Sequence, residues 1–185
     1  EVNYYALIDS EGYKGFIDVY NSTKSILKEK YPIMEVGLSF QLELLYGIHK
    51  NWEPNNTLGA LEAVVQNLDF IGVSTYPDQH IRGTENILES LKFLDSLKLH
   101  YNVPIGITET GISNDNFIKK DRLDYVNNIF DKTNFINSEF IIWGSMIDHS
   151  LPSSWHHRIG LLNGSGIPKV EFNYWKENVI KLKNN

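Results

Sequence analysis

The 185-residue sequence predicts an α/β fold built on a parallel sheet, and three observations carry that expectation. Four short apolar, β-branched runs alternate with stretches of helical spacing. The runs recur about every 35 residues. The least regular stretches each follow the C-terminal end of a run. Strands joined in this way need crossovers, and a helical crossover leaves neighbouring strands parallel.

The elements follow in order. A stripe of Tyr13, Phe16, Ile17, Tyr20 and Leu27 predicts the first long helix. Tyr31-Pro32 ends it, because proline lacks an amide donor and clashes with the preceding turn. Ile33 to Phe40 reads as a strand, and Gly47 to Thr57 as the loop beyond it. Leu58, Leu61, Val64 and Val65 form a shorter stripe, which leads into a strand at Leu68 to Tyr76 and a loop at Pro77 to Gly83. Ile87, Leu88, Leu91, Leu94 and Leu97 predict the next helix, followed by a strand at Val103 to Thr108 and a loop at Gly111 to Ile118. Leu123, Val126, Ile129 and Phe130 come before a strand at Phe140 to Met146 and a loop at Asp148 to Gly166. Phe172, Trp175, Val179 and Ile180 close the series.

A doubly wound sheet and a barrel both fit this order. Strands of a doubly wound sheet are covered on both faces and read as continuous apolar runs, whereas barrel strands turn layered, sometimes small or polar, side chains inward. Here Gly72, Ser74 and Tyr76 share one face of the second strand, and alternation puts Ile105, Ile107 and Glu109 on one face of the third. A face that passes from small or apolar to functional at its C-terminal end has the pattern of a TIM (β/α)8 barrel interior. A complete barrel takes about 250 residues and seldom fewer than about 200. The expectation is therefore a single partial barrel domain over residues 1–185: strands five to eight with their helices, the N-terminal half missing. The alternative is a free-standing four-strand α/β domain. Half a barrel has two open sheet edges, through which self-association is expected.

Composition narrows the function classes. Hydrophobic residues make up 42% of the chain, and 17 basic residues face 23 acidic ones for a net charge of -6, without a basic run to follow a phosphate backbone. Nucleic acid is thereby excluded as an expected partner. No apolar run reaches the roughly 18 residues of a membrane span. With no cysteines there is neither a disulfide nor a thiolate metal site, and the compartment stays open.

Glu109 is the sharpest chemical signal. It ends Pro104-Ile105-Gly106-Ile107-Thr108 and is followed by Thr110-Gly111, so a carboxylate emerges where a buried strand meets its loop. A carboxylate there is poorly solvated and needs either a hydrogen-bond donor or a task. The structural alternative is a Glu that caps a loop or pairs with an Arg. Tyr76 holds the equivalent end of the preceding strand, from which its hydroxyl can donate to Glu109; the alternative is a core tyrosine. Trp143 takes a similar place on the last strand, either as packing or as a flat platform for a sugar ring. Asp148, His149, Trp155, His156, His157 and Arg158 crowd the loop beyond, with His49 and His80 on earlier loops. A metal is weighed there and set aside, since the third strand end offers no His and adjacent His156 and His157 seldom both reach one ion.

These residues resemble a family. Ile107-Thr108-Glu109-Thr110-Gly111, with Ser74-Thr75-Tyr76-Pro77 and Ile142-Trp143-Gly144, is similar to strands six to eight of the clan A glycoside hydrolases. Those are retaining (β/α)8 enzymes with catalytic carboxylates at strands four and seven. Gly160-Leu161-Leu162, Gly166-Ile167-Pro168-Lys169 and Tyr174-Trp175 resemble their closing segment, and the endo-β-1,4-galactanase-like enzymes of family 53 are the nearest members. Glu1-Val2-Asn3-Tyr4-Tyr5 resembles the residues that start at the strand-four Glu. The resemblance implies Glu109 as nucleophile, Glu1 as general acid/base, and Tyr76 orienting the nucleophile. It also implies Trp143 under the attacked sugar, with Trp52, Trp155, His149 and Asp148 as further substrate contacts. It implies no metal and no organic cofactor, an oligo- or polysaccharide substrate, and an extracellular or cell-surface setting. Two rival readings stand beside it: a carbohydrate-binding or degenerate barrel without catalysis, and a metal-dependent barrel hydrolase.

Overall fold

The computed structural model describes residues 1–49, 57–77, 89–113, 119–135, 138, 140–148 and 158–183. Its elements are α1 (Val2–Ile8), α2 (Ser10–Lys30), β1 (Leu38–Gln41), α3 (Leu42–Tyr46) and α4 (Leu58–Glu62), then a 3-10 turn at Val65–Asn67. β2 (Ile71–Thr75), α5 (Glu89–Tyr101), β3 (Ile105–Thr110), α6 (Lys119–Phe135), β4 (Ile141–Trp143) and α7 (Val170–Lys183) complete the chain. The four expected strands are all present. β3 runs on past Thr108 to Thr110, so Glu109 lies within the strand. The long α2 begins where the Asp9 side chain accepts from the Gly12 amide at 2.9 Å, and ends at Tyr31, whose amide closes on the Leu27 carbonyl. Two short helices, α1 and α3, were not expected: seven and five residues carry too little periodicity to register.

The sheet is parallel throughout, and its order β1-β2-β3-β4 repeats the chain order. Ile71, Val73, Ile105 and Ile107 share one core with Tyr20 of α2, Leu91, Leu94 and Leu97 of α5, and Tyr125 and Ile129 of α6. Each such apolar side chain contributes about 1.5–3 kcal/mol on full burial. The opposite face carries Ser39, Gly72, Ser74 and Thr108. A doubly wound sheet reverses strand order and covers both faces with helices; among the described residues neither feature occurs. The chain has the architecture of a (β/α)8 barrel, as four consecutive β-strands with their helices.

Curvature shows directly on the inner face. Ser39 Oγ and Thr108 Oγ1 lie 2.7 Å apart, which joins β1 to β3 across the intervening β2. In a flat sheet alternate strands stand about 9.5 Å apart, so side chains that meet over the middle strand require a concave surface. Gly72 permits the meeting, because a Cβ there would lie 2.7 Å from Thr108 Cγ2.

β3 departs from simple alternation, and this corrects one expectation. Val73 pairs with Ile107 but Ser74 pairs with Glu109, so Thr108 is an extra residue in a β-bulge. Ile105 and Ile107 face the helices, and Thr110 also faces them, with its Oγ1 2.8 Å from the Tyr125 hydroxyl. Strict alternation would have turned Glu109 the same way as Ile107. The bulge changes parity and brings Glu109 into line with Ser74 on the concave side.

β1 and β4 form the two edges of the sheet. Ile142, on the concave face of β4, is 51% exposed. Among the described residues no helix is long and apolar enough to cross a membrane.

Candidate active site

Three strands bring one rung to the C-terminal end of the sheet. Gln41 on β1 pairs with Ser74 on β2, and Ser74 pairs with Glu109 on β3. Glu1 reaches this rung from the start of α1: Ser74 Oγ donates to Glu1 Oε1 at 2.8 Å. The backbone behind Glu1 is fixed by Asn3, which is fully buried. Asn3 Oδ1 accepts from the Gln41 amide, while its Nδ2 donates to the Gln41 carbonyl, both at 2.9 Å, and also to Thr57 Oγ1 at 3.3 Å. A short helix of marginal intrinsic stability is thereby tied to the end of β1.

Tyr76 comes directly after β2 and is 2% exposed. Its hydroxyl is pushed far above its ordinary range, first by burial and then by the neighbouring Glu109 carboxylate, with Tyr125 and Glu1 adding to the effect. The phenol therefore stays protonated and acts as a donor. Gly144 leaves space for it, since a Cβ at that position would collide with the hydroxyl oxygen. Two carboxylates thus meet at the Ser74 rung, with the buried tyrosine beside Glu109. Such a pair can attack an electrophilic carbon with one member and transfer a proton with the other.

Other expected site residues are placed differently. Trp143 stands at the end of β4 but on the helix side, paired with Thr110. Its Nε1–H donates to the Ile159 carbonyl at 2.7 Å, and its ring packs edge-on against Trp175 of α7 at a centroid distance of 5.1 Å. The indole thereby secures the contact between β4 and α7, as the packing alternative has it. Asp148 also has structural partners: one carboxylate oxygen accepts from the Gly160 amide at 2.9 Å and from Lys169 at 2.6 Å. A carboxylate so engaged clasps the segment after β4. Trp52, Trp155, His149, His80, His156 and His157 lie outside the described residues. His49 is buried.

Sequence reasoning missed two contributors. Ser74 was placed on the right face without a role, and its position two residues before Tyr76 was the available signal. Asn3 gave none, because its partner is a main chain 38 residues away.

No protein-family model matches the chain, and no curated protein matches it in sequence. Among solved structures the chain is similar to a β-glucuronidase from Ruminococcus gnavus, with a TM-score of 0.56 and 17% identity over 92% of this chain and 30% of that one. It is similar to the β-glycosidase BGL167, with a TM-score of 0.56 and 14% identity over 90% of this chain and 48% of that one. An active-site mutant of Rhizomucor miehei β-1,3-glucanosyltransferase gives a TM-score of 0.51 and 15% identity over 85% and 56%. The chain spans less than a third of the glucuronidase chain. At these identities the likeness establishes the fold, that of glycosidase barrels, and nothing finer.

Proposed function

We propose that the chain carries the catalytic carboxylates of a retaining glycoside hydrolase acting on an oligo- or polysaccharide. The observation behind this reading is that Glu1, held by Ser74 of β2, and Glu109 of β3 meet at one rung at the C-terminal end of the parallel sheet, beside the buried Tyr76, the end where barrel enzymes build their sites. Ser74, which holds Glu1, is the direct register neighbour of Glu109.

In the reaction so read, Glu109 attacks the anomeric carbon while protonated Glu1 delivers its proton to the departing glycosidic oxygen. Water then attacks the glycosyl-enzyme with Glu1 as base, which restores both groups. Tyr76 holds one oxygen of Glu109 and so fixes the other toward the sugar. An extracellular or cell-surface setting suits an oligo- or polysaccharide substrate. Trp52, Trp155 and His149 remain proposed contacts for more distant sugars.

Replacing Glu109 with Gln preserves shape and removes the nucleophile. In the polypeptide that completes the barrel, turnover should fall at least about a thousandfold with the melting temperature nearly unchanged. Retention of most activity would overturn the assignment.

A further inference from the structure

Glu1 caps α1 and its side chain is exposed, so on its own the carboxyl would sample many rotamers. A general acid has to present its proton at one place in the transition state. Two groups restrict it. Asn3 pins the backbone of α1 to Gln41 through a pair of 2.9 Å hydrogen bonds, and Ser74, 1% exposed, donates to Glu1 Oε1 at 2.8 Å. Gln41, Ser74 and Glu109 share one rung, so the strand that anchors α1, the hydroxyl that holds Glu1 and the opposing carboxylate are set by a single sheet register.

We infer that Ser74 is the positioning residue for proton transfer by Glu1, holding Oε1 so that Oε2 carries the proton to the leaving group; this rests on the glycosidase reading. The hydroxyl donates to Oε1 in both states of Glu1. In the first step the proton on Oε2 passes to the glycosidic oxygen, which also takes the electron pair of the breaking bond to the anomeric carbon, while Glu109 forms the new bond to that carbon. In the second step water oxygen bonds to the anomeric carbon, the bond from that carbon to Glu109 breaks with its electron pair returning to the carboxylate, and the water proton returns to Oε2. Ser74 keeps its own proton throughout.

The distinguishing measurement is leaving-group dependence. Ser74→Ala and Ser74→Thr are compared with the wild-type barrel on two aryl glycosides of one sugar, a 2,4-dinitrophenyl glycoside whose leaving group departs without protonation and a phenyl glycoside whose leaving group needs it. Ser74→Ala should lower kcat/KM on the phenyl glycoside about ten- to a hundredfold, the range for one hydrogen bond to a charged group, and change the dinitrophenyl rate less than about threefold. Ser74→Thr, which keeps a hydroxyl, should restore most of the phenyl rate. Equal losses on both substrates, or no loss on either, overturn the inference and leave the glycosidase reading intact. A wild-type barrel that turns over neither glycoside, or a Glu109→Gln variant that turns over both at the wild-type rate, overturns the glycosidase reading and the inference with it.

Discussion

The Tyr76 hydroxyl is the group on which the proposed chemistry turns. Buried and held against Glu109, it can stabilise that carboxylate only by donating. Tyr76→Phe removes the donor and keeps the ring, so turnover should fall about ten- to a hundredfold, with a smaller change in melting temperature. A loss of thermal stability with unchanged kinetics would assign Tyr76 to the core alone. Glu109 and Tyr76 were legible in the sequence because a Glu or Tyr that ends an apolar run is conspicuous. Trp143 was legible as a strand-end indole, but which way it faces was not. Its ring and N–H are engaged by Trp175 and Ile159, 32 and 16 residues further on, and no local pattern encodes those partners.

At the scale of elements, Asp69 joins three segments ahead of β2. Its carboxylate bonds Lys24 at 2.7 Å and Lys28 at 2.8 Å on α2, and accepts from the Val36 amide at 2.8 Å in the approach to β1. Burial works to raise its pKa, but the two ammonium groups and the amide prevail and lower it from 3.8 to about 2. A carboxylate depressed on folding stabilises the protein above its unfolded value of about 3.9, and that contribution is lost as pH falls toward 2. Discounted for its partial exposure, it is worth about 1–2 kcal/mol near neutral pH. Asp69→Asn should therefore be less stable than wild type by that amount at pH 6, with the gap closing between about pH 5 and pH 2 in denaturant titrations. A gap independent of pH would contradict the clasp. The strands and long helices could be read from periodicity, whereas the Thr108 bulge could not. An inserted residue leaves composition unchanged and shifts only the parity of the residues after it, so Glu109 lies on the expected concave face while Ile105 and Ile107, assigned by alternation to that same face, turn to the helices.

On the scale of the molecule, a concave sheet with two edges and a half-exposed Ile142 invites pairing. The isolated 185-residue polypeptide should associate or aggregate and lack glycosidase activity, as sedimentation and assay would show; a soluble, active monomer would contradict this. Four parallel strands in chain order made the barrel legible from alternation of elements alone, because sequential βα units have few other ways to pack. The substrate was not legible, since specificity is set by loops whose side chains obey no periodicity. The central claim is that Glu109 forms a covalent bond to the sugar, and the most direct measurement is trapping in the polypeptide that completes the barrel. It is incubated with an activated 2-deoxy-2-fluoro glycoside, digested and examined by peptide mass spectrometry. A single fluoroglycosyl adduct on the peptide containing Glu109, absent from Glu109→Gln, is the predicted result; an adduct on a different carboxylate, or hydrolysis with inversion and no adduct, would contradict it.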